Sequence, residues 1–290
     1  MSEKFSEIGF TCDWIAATFD PRFGWDFVRD LTLTYGLTES HARPQRGYNR
    51  AVEYENGLRA SWHSELETNG LHVQMSGAVL RWYYAQGRGW YEIMGWVKEC
   101  KGRVSRVDLA LDVKNSAMTP DVLCKPNLKP YSGRGRTPAF NVLSGGDGSW
   151  TIYVGRRTSD KFLRIYDKAK EQKDYDSDYI RVELECKGEV AHAVGWQFPA
   201  LSEQGCLDMA RTLIRGVADF NIPAWDAAME SDNLVLSIPQ GRQRDTVRWL
   251  LDTCAPALAK EIKKRPKEPV IDQFLEALRQ RLNELGLDLQ

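Results

Sequence analysis

Polar and apolar residues alternate in steps of two along three stretches of this chain. Arg103 to Val113 alternates strictly, placing Arg106, Asp108, Ala110 and Asp112 on one face and Val107, Leu109, Leu111 and Val113 on the other. Arg181 to Cys186 repeats the scheme, with Arg181, Glu183 and Glu185 opposite Val182 and Leu184. Leu163 to Lys168 sets Arg164, Tyr166 and Lys168 against Leu163 and Ile165. Further strands are predicted over 7–19, 71–75, 139–143 and 149–154, the last two flanking Ser-Gly-Gly-Asp-Gly, a hairpin signal. Residues 47–63 read as a hairpin turning at Glu55-Asn56-Gly57.

Steps of three and four predict helices over 25–34 and over 90–100, the second with Ile93, Trp96 and Val97 on one side and Gly102 closing it. A polar stretch holding Pro120, Pro126, Pro130 and Pro138 predicts a short helix and a long loop. From Glu189 the pattern turns helical, including 203–218, 242–251 and 270–285, with a basic linker over 260–267. The order of elements predicts an α+β fold: an antiparallel sheet core in two sheet-and-helix halves, with a helical C-terminal part. The expected division is a catalytic region over 1–188, its motif core at 103–188, and a helical continuation over 189–290.

Composition narrows the class. The chain has 290 residues, 42% hydrophobic and 11% aromatic, enough for a sizeable core and too apolar for a disordered chain. No apolar run is long enough to cross a bilayer, and the first residues lack the features of a signal peptide, so a cytoplasmic protein with no membrane contact is expected. The six cysteines are scattered without a CxxC pair, which argues against a disulfide framework or structural zinc. Net charge is −1, yet residues 98–187 hold 18 basic against 13 acidic residues, a surplus suited to phosphate.

Alternating charges also describe an ordinary solvated sheet face. If the three strands share a face, however, Asp108, Asp112, Glu183 and Glu185 converge with several cations and one tyrosine. Hard oxygen donors suit Mg²⁺ or Mn²⁺, the cations suit a phosphate, and Tyr166 suits covalent phosphoryl transfer. Ionising a free tyrosine at pH 7 costs about 4 kcal/mol, which a close cation and a metal can offset.

The block RVDLALD (106–112), then YVGRRTSDKFLRIYDKAKE (153–171) and IRVELECKG (180–188), resembles the replication initiation factor (Rep_trans) family. SGAVLR (76–81) resembles a looser block upstream. That family comprises rolling-circle replication initiators of plasmids and filamentous phages and related conjugative-element relaxases. The resemblance implies origin-specific DNA nicking by Tyr166, through a 5′-phosphotyrosyl link and a released 3′-OH. Arg164 and Lys168 would steady the phosphate or phenolate. Asp108 and Glu183, then Asp112 and Glu185, would hold Mg²⁺ or Mn²⁺. Arg106, Arg156, Arg157, Ser159 and Arg181 would contact DNA, with Arg134 and Arg136 in the central loop; the family pattern favours a small residue where Arg156 stands. Implied partners are the origin, a host helicase and polymerase, and a second copy of the chain in a homodimer.

Other readings stay open at this level. Leu71-His72-Val73-Gln74 matches a His-hydrophobic-Gln metal motif of HUH-type nickases, although the downstream Tyr-x-x-Lys is one residue short. A non-cleaving DNA-binding replication or regulatory protein would keep the fold without the reaction. An RNA-binding sheet would need exposed rings, for which Trp82, Tyr83, Tyr84 and Trp90 are available. Tyr175 and Tyr179 compete with Tyr166 as nucleophile.

Overall fold

A computed structural model describes residues 8–45, 47–65, 69–114, 117–129, 138–231, 258–265 and 269–284. The chain divides into two compact units, Met1–Pro239 and Gln240–Gln290. The first is built on a ten-stranded antiparallel sheet: β1 (Ile8–Phe19), β2 (Glu39–His41), β3 (Arg50–Tyr54), β4 (Arg59–Trp62), β5 (Leu71–Ser76), β6 (Arg103–Lys114), β7 (Phe140–Ser144), β8 (Trp150–Val154), β9 (Lys161–Asp167) and β10 (Tyr179–Lys187).

The strand order is β2-β3-β4-β5-β1-β6-β10-β9-β8-β7. Two strands of 12 residues, β1 and β6, form the central seam. Outward from it, each half runs in the same connectivity, β1-β5-β4-β3-β2 on one side and β6-β10-β9-β8-β7 on the other. The last inner strand of each half leads directly into a helix that begins with glycine, α2 (Gly77–Ala85) after β5 and α5 (Gly188–Gln197) after β10. The two sheet-and-helix halves expected from the sequence are thus present as an internal repeat of topology.

One sheet face supplies the core, because period-two alternation sends every second apolar side chain the same way. Val107, Leu109, Leu111, Val182, Leu184, Leu163 and Ile165 are wholly buried there. Apolar faces of α1 (Pro21–Leu33), α2, α3 (Trp90–Glu99), α5, α6 (Glu203–Arg215) and α7 (Pro223–Ala228) complete the same core.

Local chemistry explains where elements begin and end. The predicted helix over 25–34 starts earlier, at Pro21, because Asp20 caps it and accepts from Arg22 N, with proline at the first turn. The left-handed residue after α3 is Lys101, at φ 55°, and not Gly102. Gly102 serves another need: a Cβ there would lie 2.3 Å from the Phe19 ring. Strand β9 stops at Asp167, whose side chain accepts from Lys170 N and opens the short helix α4 (Lys168–Glu171). Lys168 therefore leaves the strand on which alternation had placed it beside Arg164 and Tyr166.

In the second unit, residues 258–264 are helical and α8 (Val270–Glu284) follows. The helix predicted over 242–251 lies outside the described residues. No helix among the described residues is long and apolar enough to cross a membrane.

Candidate active site

Strands β6, β10 and β9 are neighbours, and residues directly opposite each other in an antiparallel pair share a face. Asp108 stands opposite Glu185, Asp112 opposite Arg181, Glu183 opposite Arg164, and Arg181 opposite Tyr166. The three charged faces read from the sequence are one face.

It is not a solvated face. Asp108, Glu183 and Glu185 are only 1–2% exposed. Buried carboxylates persist where cations and hydrogen bonds compensate their lost hydration. Arg106 clasps Asp108 through two bonds of 2.9 and 2.6 Å and reaches Glu185 at 2.9 Å. Lys187 meets Glu185 at 2.5 Å. Arg164 ion-pairs with Glu183 and lies 3.7 Å from Asp108. The Arg106 guanidinium also stacks over the Trp14 ring, 4.6 Å from its centroid. Burial pushes the Asp108 carboxyl up to about 6; Arg106 opposes that rise, while Glu183 and Glu185 add to it.

The Tyr166 hydroxyl donates to Glu183 Oε2 at 3.0 Å. Burial, and then the Glu183 carboxylate, raise the phenol well above its ordinary value, while the Arg181 charge pulls it down. A cleft of about 350 Å³ opens beside Tyr166, lined also by Trp150, Thr151, Lys170 and Tyr175. Lys168, although off the strand, is buried with its Nζ 5.6 Å from the Tyr166 ring centroid and donates to Glu171 at 2.5 Å.

The competing tyrosines stand elsewhere. Tyr175 is exposed on the rim of the cleft. Tyr179 begins β10 opposite Lys114, and its hydroxyl donates to Gln172. The expected carboxylate set splits as well. Asp112 lies about 13 Å along β6 from Asp108 and holds Arg181 through two 2.7 Å bonds. Arg106 and Arg181 are thus engaged with carboxylates, whereas Arg156, Arg157 and Ser159 are exposed in the turn between β8 and β9, at the far end of β9 from Tyr166. Arg134 and Arg136 lie outside the described residues.

Hard carboxylate oxygens are the donors that Mg²⁺ and Mn²⁺ take, and Asp108 and Glu183 already meet on one cation, the Arg164 guanidinium. Among the described residues no three His, Cys, Asp or Glu side chains stand preassembled as a metal cage.

His72 and Gln74 do share the polar face, as the His-hydrophobic-Gln reading requires. They sit on β5, four strands from β9 and roughly 19 Å across the sheet from the row of Tyr166. His72 Nδ1 shares a 2.9 Å hydrogen bond with Thr18 Oγ1, the Tyr48 ring stacks on it, and burial lowers it to about 4. Gln74 accepts from Gln45. Of the four rings proposed for RNA stacking, Tyr83 is buried and donates to Leu31 O, Trp82 packs with Tyr35 and Tyr83, Trp90 packs with Phe10, Tyr91 and Phe198, and Tyr84 is exposed.

One residue at this site carried no signal in the alternation. Asp13 of β1 lies 3.0 Å from Arg181 Nη1, and only the strand pairing reveals it.

Comparison with known proteins bears on the family and the fold. A model of the replication initiation factor family matches residues 102–275. The candidate DNA relaxase NicK of Bacillus subtilis (strain 168) is 29% identical over 161 residues, covering 50% of this chain and 46% of that protein. The match thus spans about half the length of that relative. A rolling circle replication initiator protein from Geobacillus stearothermophilus has the same fold, with a TM-score of 0.59 at 19% identity, covering 74% of this chain and 87% of the other.

Proposed function

The chain belongs to the replication initiation factor family, and from that premise and the surroundings of Tyr166 we propose that it nicks DNA through a covalent tyrosyl link. One observation carries the reading: a phenol 3.0 Å from a buried carboxylate, at the edge of an open cleft and in the same face as a balanced cluster of acids and cations.

In this reading Tyr166 gives its proton to Glu183 Oε2 as its oxygen attacks the scissile phosphorus. The bond from phosphorus to the 3′ oxygen breaks, and that oxygen takes up a proton, so the net movement is one proton from phenol to leaving group. The products are a 5′-phosphotyrosyl link and a free 3′-OH that primes a host polymerase. Asp108 and Glu183, with Glu185 next, would hold Mg²⁺ or Mn²⁺, which when bound polarises the phosphoryl oxygen and favours the phenolate. Arg164 neutralises the carboxylates between them and can turn to the phosphate. Lys168, fixed above the Tyr166 ring, adds positive charge next to the nucleophile. Arg156, Arg157 and Ser159 would grip the DNA backbone away from the scissile bond. Host helicase recruitment and a second copy of the chain, for the cleavage that ends a round, complete the proposal.

The test uses supercoiled DNA carrying this chain's own gene and its flanking intergenic region, with Mn²⁺ or Mg²⁺. Denaturing gels should show a metal-dependent nick and a protein–DNA adduct, both absent with Tyr166→Phe. An adduct that survives Tyr166→Phe would move the nucleophile to Tyr175 or Tyr179. DNA binding with neither nick nor adduct would favour the non-cleaving reading.

A further inference from the structure

The first half of the sheet contributes to the site of the second. The register of β1 against β6 steps from Cys12 opposite Leu109 to Trp14 opposite Asp108, leaving Asp13 as an extra residue in a β-bulge. Cys12 points into the core, and Trp14 lies under Arg106 on the polar face. The bulge delivers the Asp13 carboxylate to the same face, where Oδ1 is 3.0 Å from Arg181 Nη1 and 3.6 Å from Arg81 Nη1.

Two further features make the contact specific. Arg181 is 5% exposed, and its Nε and Nη2 are already taken by Asp112; the remaining nitrogen, Nη1, has no hydrogen-bond partner, and the Asp13 carboxylate stands 3.0 Å from it as an ion pair. A guanidinium bonded on one edge can pivot with its partner; a carboxylate from a second strand facing its other edge opposes that pivot. Gly77 makes room for the arrangement, since a Cβ there would lie 2.2 Å from Asp13 Oδ1. Arg181 is the direct cross-strand partner of Tyr166.

We propose that Asp13 is a positioning residue that, together with Asp112, fixes the Arg181 guanidinium beside Tyr166. The proposal rests on the reading of Tyr166 as nucleophile. Asp13 touches neither phenol nor phosphate in this scheme; its charge is one of those that raise the Tyr166 phenol, and its positioning role acts through Arg181.

The experiment compares wild type, Asp13→Ala, Arg181→Ala, their double variant, Gly77→Ala and Tyr166→Phe, on the same supercoiled DNA. Asp13→Ala should slow adduct formation about 10-fold or more, the scale of a small misplacement in an active site, with DNA affinity and melting temperature within about twofold and a few degrees of wild type. Gly77→Ala keeps the charge but takes its space, and should reproduce the loss. The double variant should be no slower than Arg181→Ala alone; multiplying effects would overturn the proposal, as would a wild-type rate for Asp13→Ala. A second readout needs no activity. The ¹⁵N signals of the Arg181 guanidinium should show slower rotation of the Nη1 amino group in wild type than in Asp13→Ala, with Nε and Nη2 still held by Asp112 in both, and unchanged spectra would overturn the positioning role. An adduct that persists in Tyr166→Phe would instead count against the nucleophile and leave the spectral result to decide what Asp13 holds.

Discussion

β5 and β10 occupy equivalent places on either side of the β1–β6 seam, and each runs into a helix that starts with glycine. His72 and Gln74 precede Gly77 by the same intervals that separate Glu183 and Glu185 from Gly188. In the second half those positions hold carboxylates, buried and matched by Arg106, Arg164 and Lys187. In the first they hold a neutral imidazole and an amide, and the chain's own β2–β3 connection lies against them through Gln45 and Tyr48. The corresponding β7–β8 connection is a tight turn over 145–148, and a cleft stays open beside Tyr166. The comparison separates scaffold from chemistry. Both halves answer the same demand, a sheet face that must bury apolar residues on one side, while only one half spends its other side on a charged cluster.

The sharpest way to break this comparison is to neutralise equivalent positions. Glu183→Gln should lower metal-dependent nicking by about 100-fold or more, whereas His72→Gln should stay within about threefold of wild type. Loss confined to His72→Gln would reverse the assignment of the halves.

Stability should show the next largest difference. Removing Arg164 leaves Glu183 and Asp108 buried with one cation fewer, so Arg164→Met should cost about 3 kcal/mol in urea unfolding. Arg59, on β4 of the first half, faces the more exposed Glu53 at 3.8 Å and donates to Arg43 O at 2.7 Å. Arg59→Met should cost about 1 kcal/mol or less. Equal costs would mean that the second half's ions are no more deeply committed than the first half's.

The most gradual effect is a pH slope. His72 is held near 4 in the folded protein, below its ordinary value of 6.5, because burial disfavours its charge. The unfolded chain therefore binds the proton first. Stability is lost as pH falls from about 6.5 to 4, by up to about 1.4 kcal/mol per pH unit. His72→Gln removes that term, so the difference between variant and wild type should grow in the variant's favour over this window. Asp108 titrates nearby with the opposite sign but is common to both proteins and cancels in the difference. Parallel pH profiles would place His72 in contact with solvent.

Much of this molecule was legible in the chain. The period of two in 103–113, 163–167 and 181–186 set which side chains share a face, since the pleat leaves no choice once a strand forms. Tyr166 and its acidic neighbours stood out for that reason, together with their match to a family pattern. Lys168 was misread as a strand residue because alternation does not register an Asp167 cap, whose effect appears only when the backbone turns.

What the chain could not disclose depends on partners distant in sequence. Alternating charge fits a wet face and a buried cluster equally well, and the pairing of β6, β10 and β9 decided for burial. The same pairing gave Asp112 to Arg181 and not to Asp108, since each step of two residues along a strand moves a side chain about 6–7 Å. The bulge at Asp13 exists only as a mismatch between β1 and β6, strands nearly a hundred residues apart. Local periodicity fixes faces because it follows from covalent geometry; register, burial and ion pairing follow from which strands meet, and that is settled by the packing of the whole sheet.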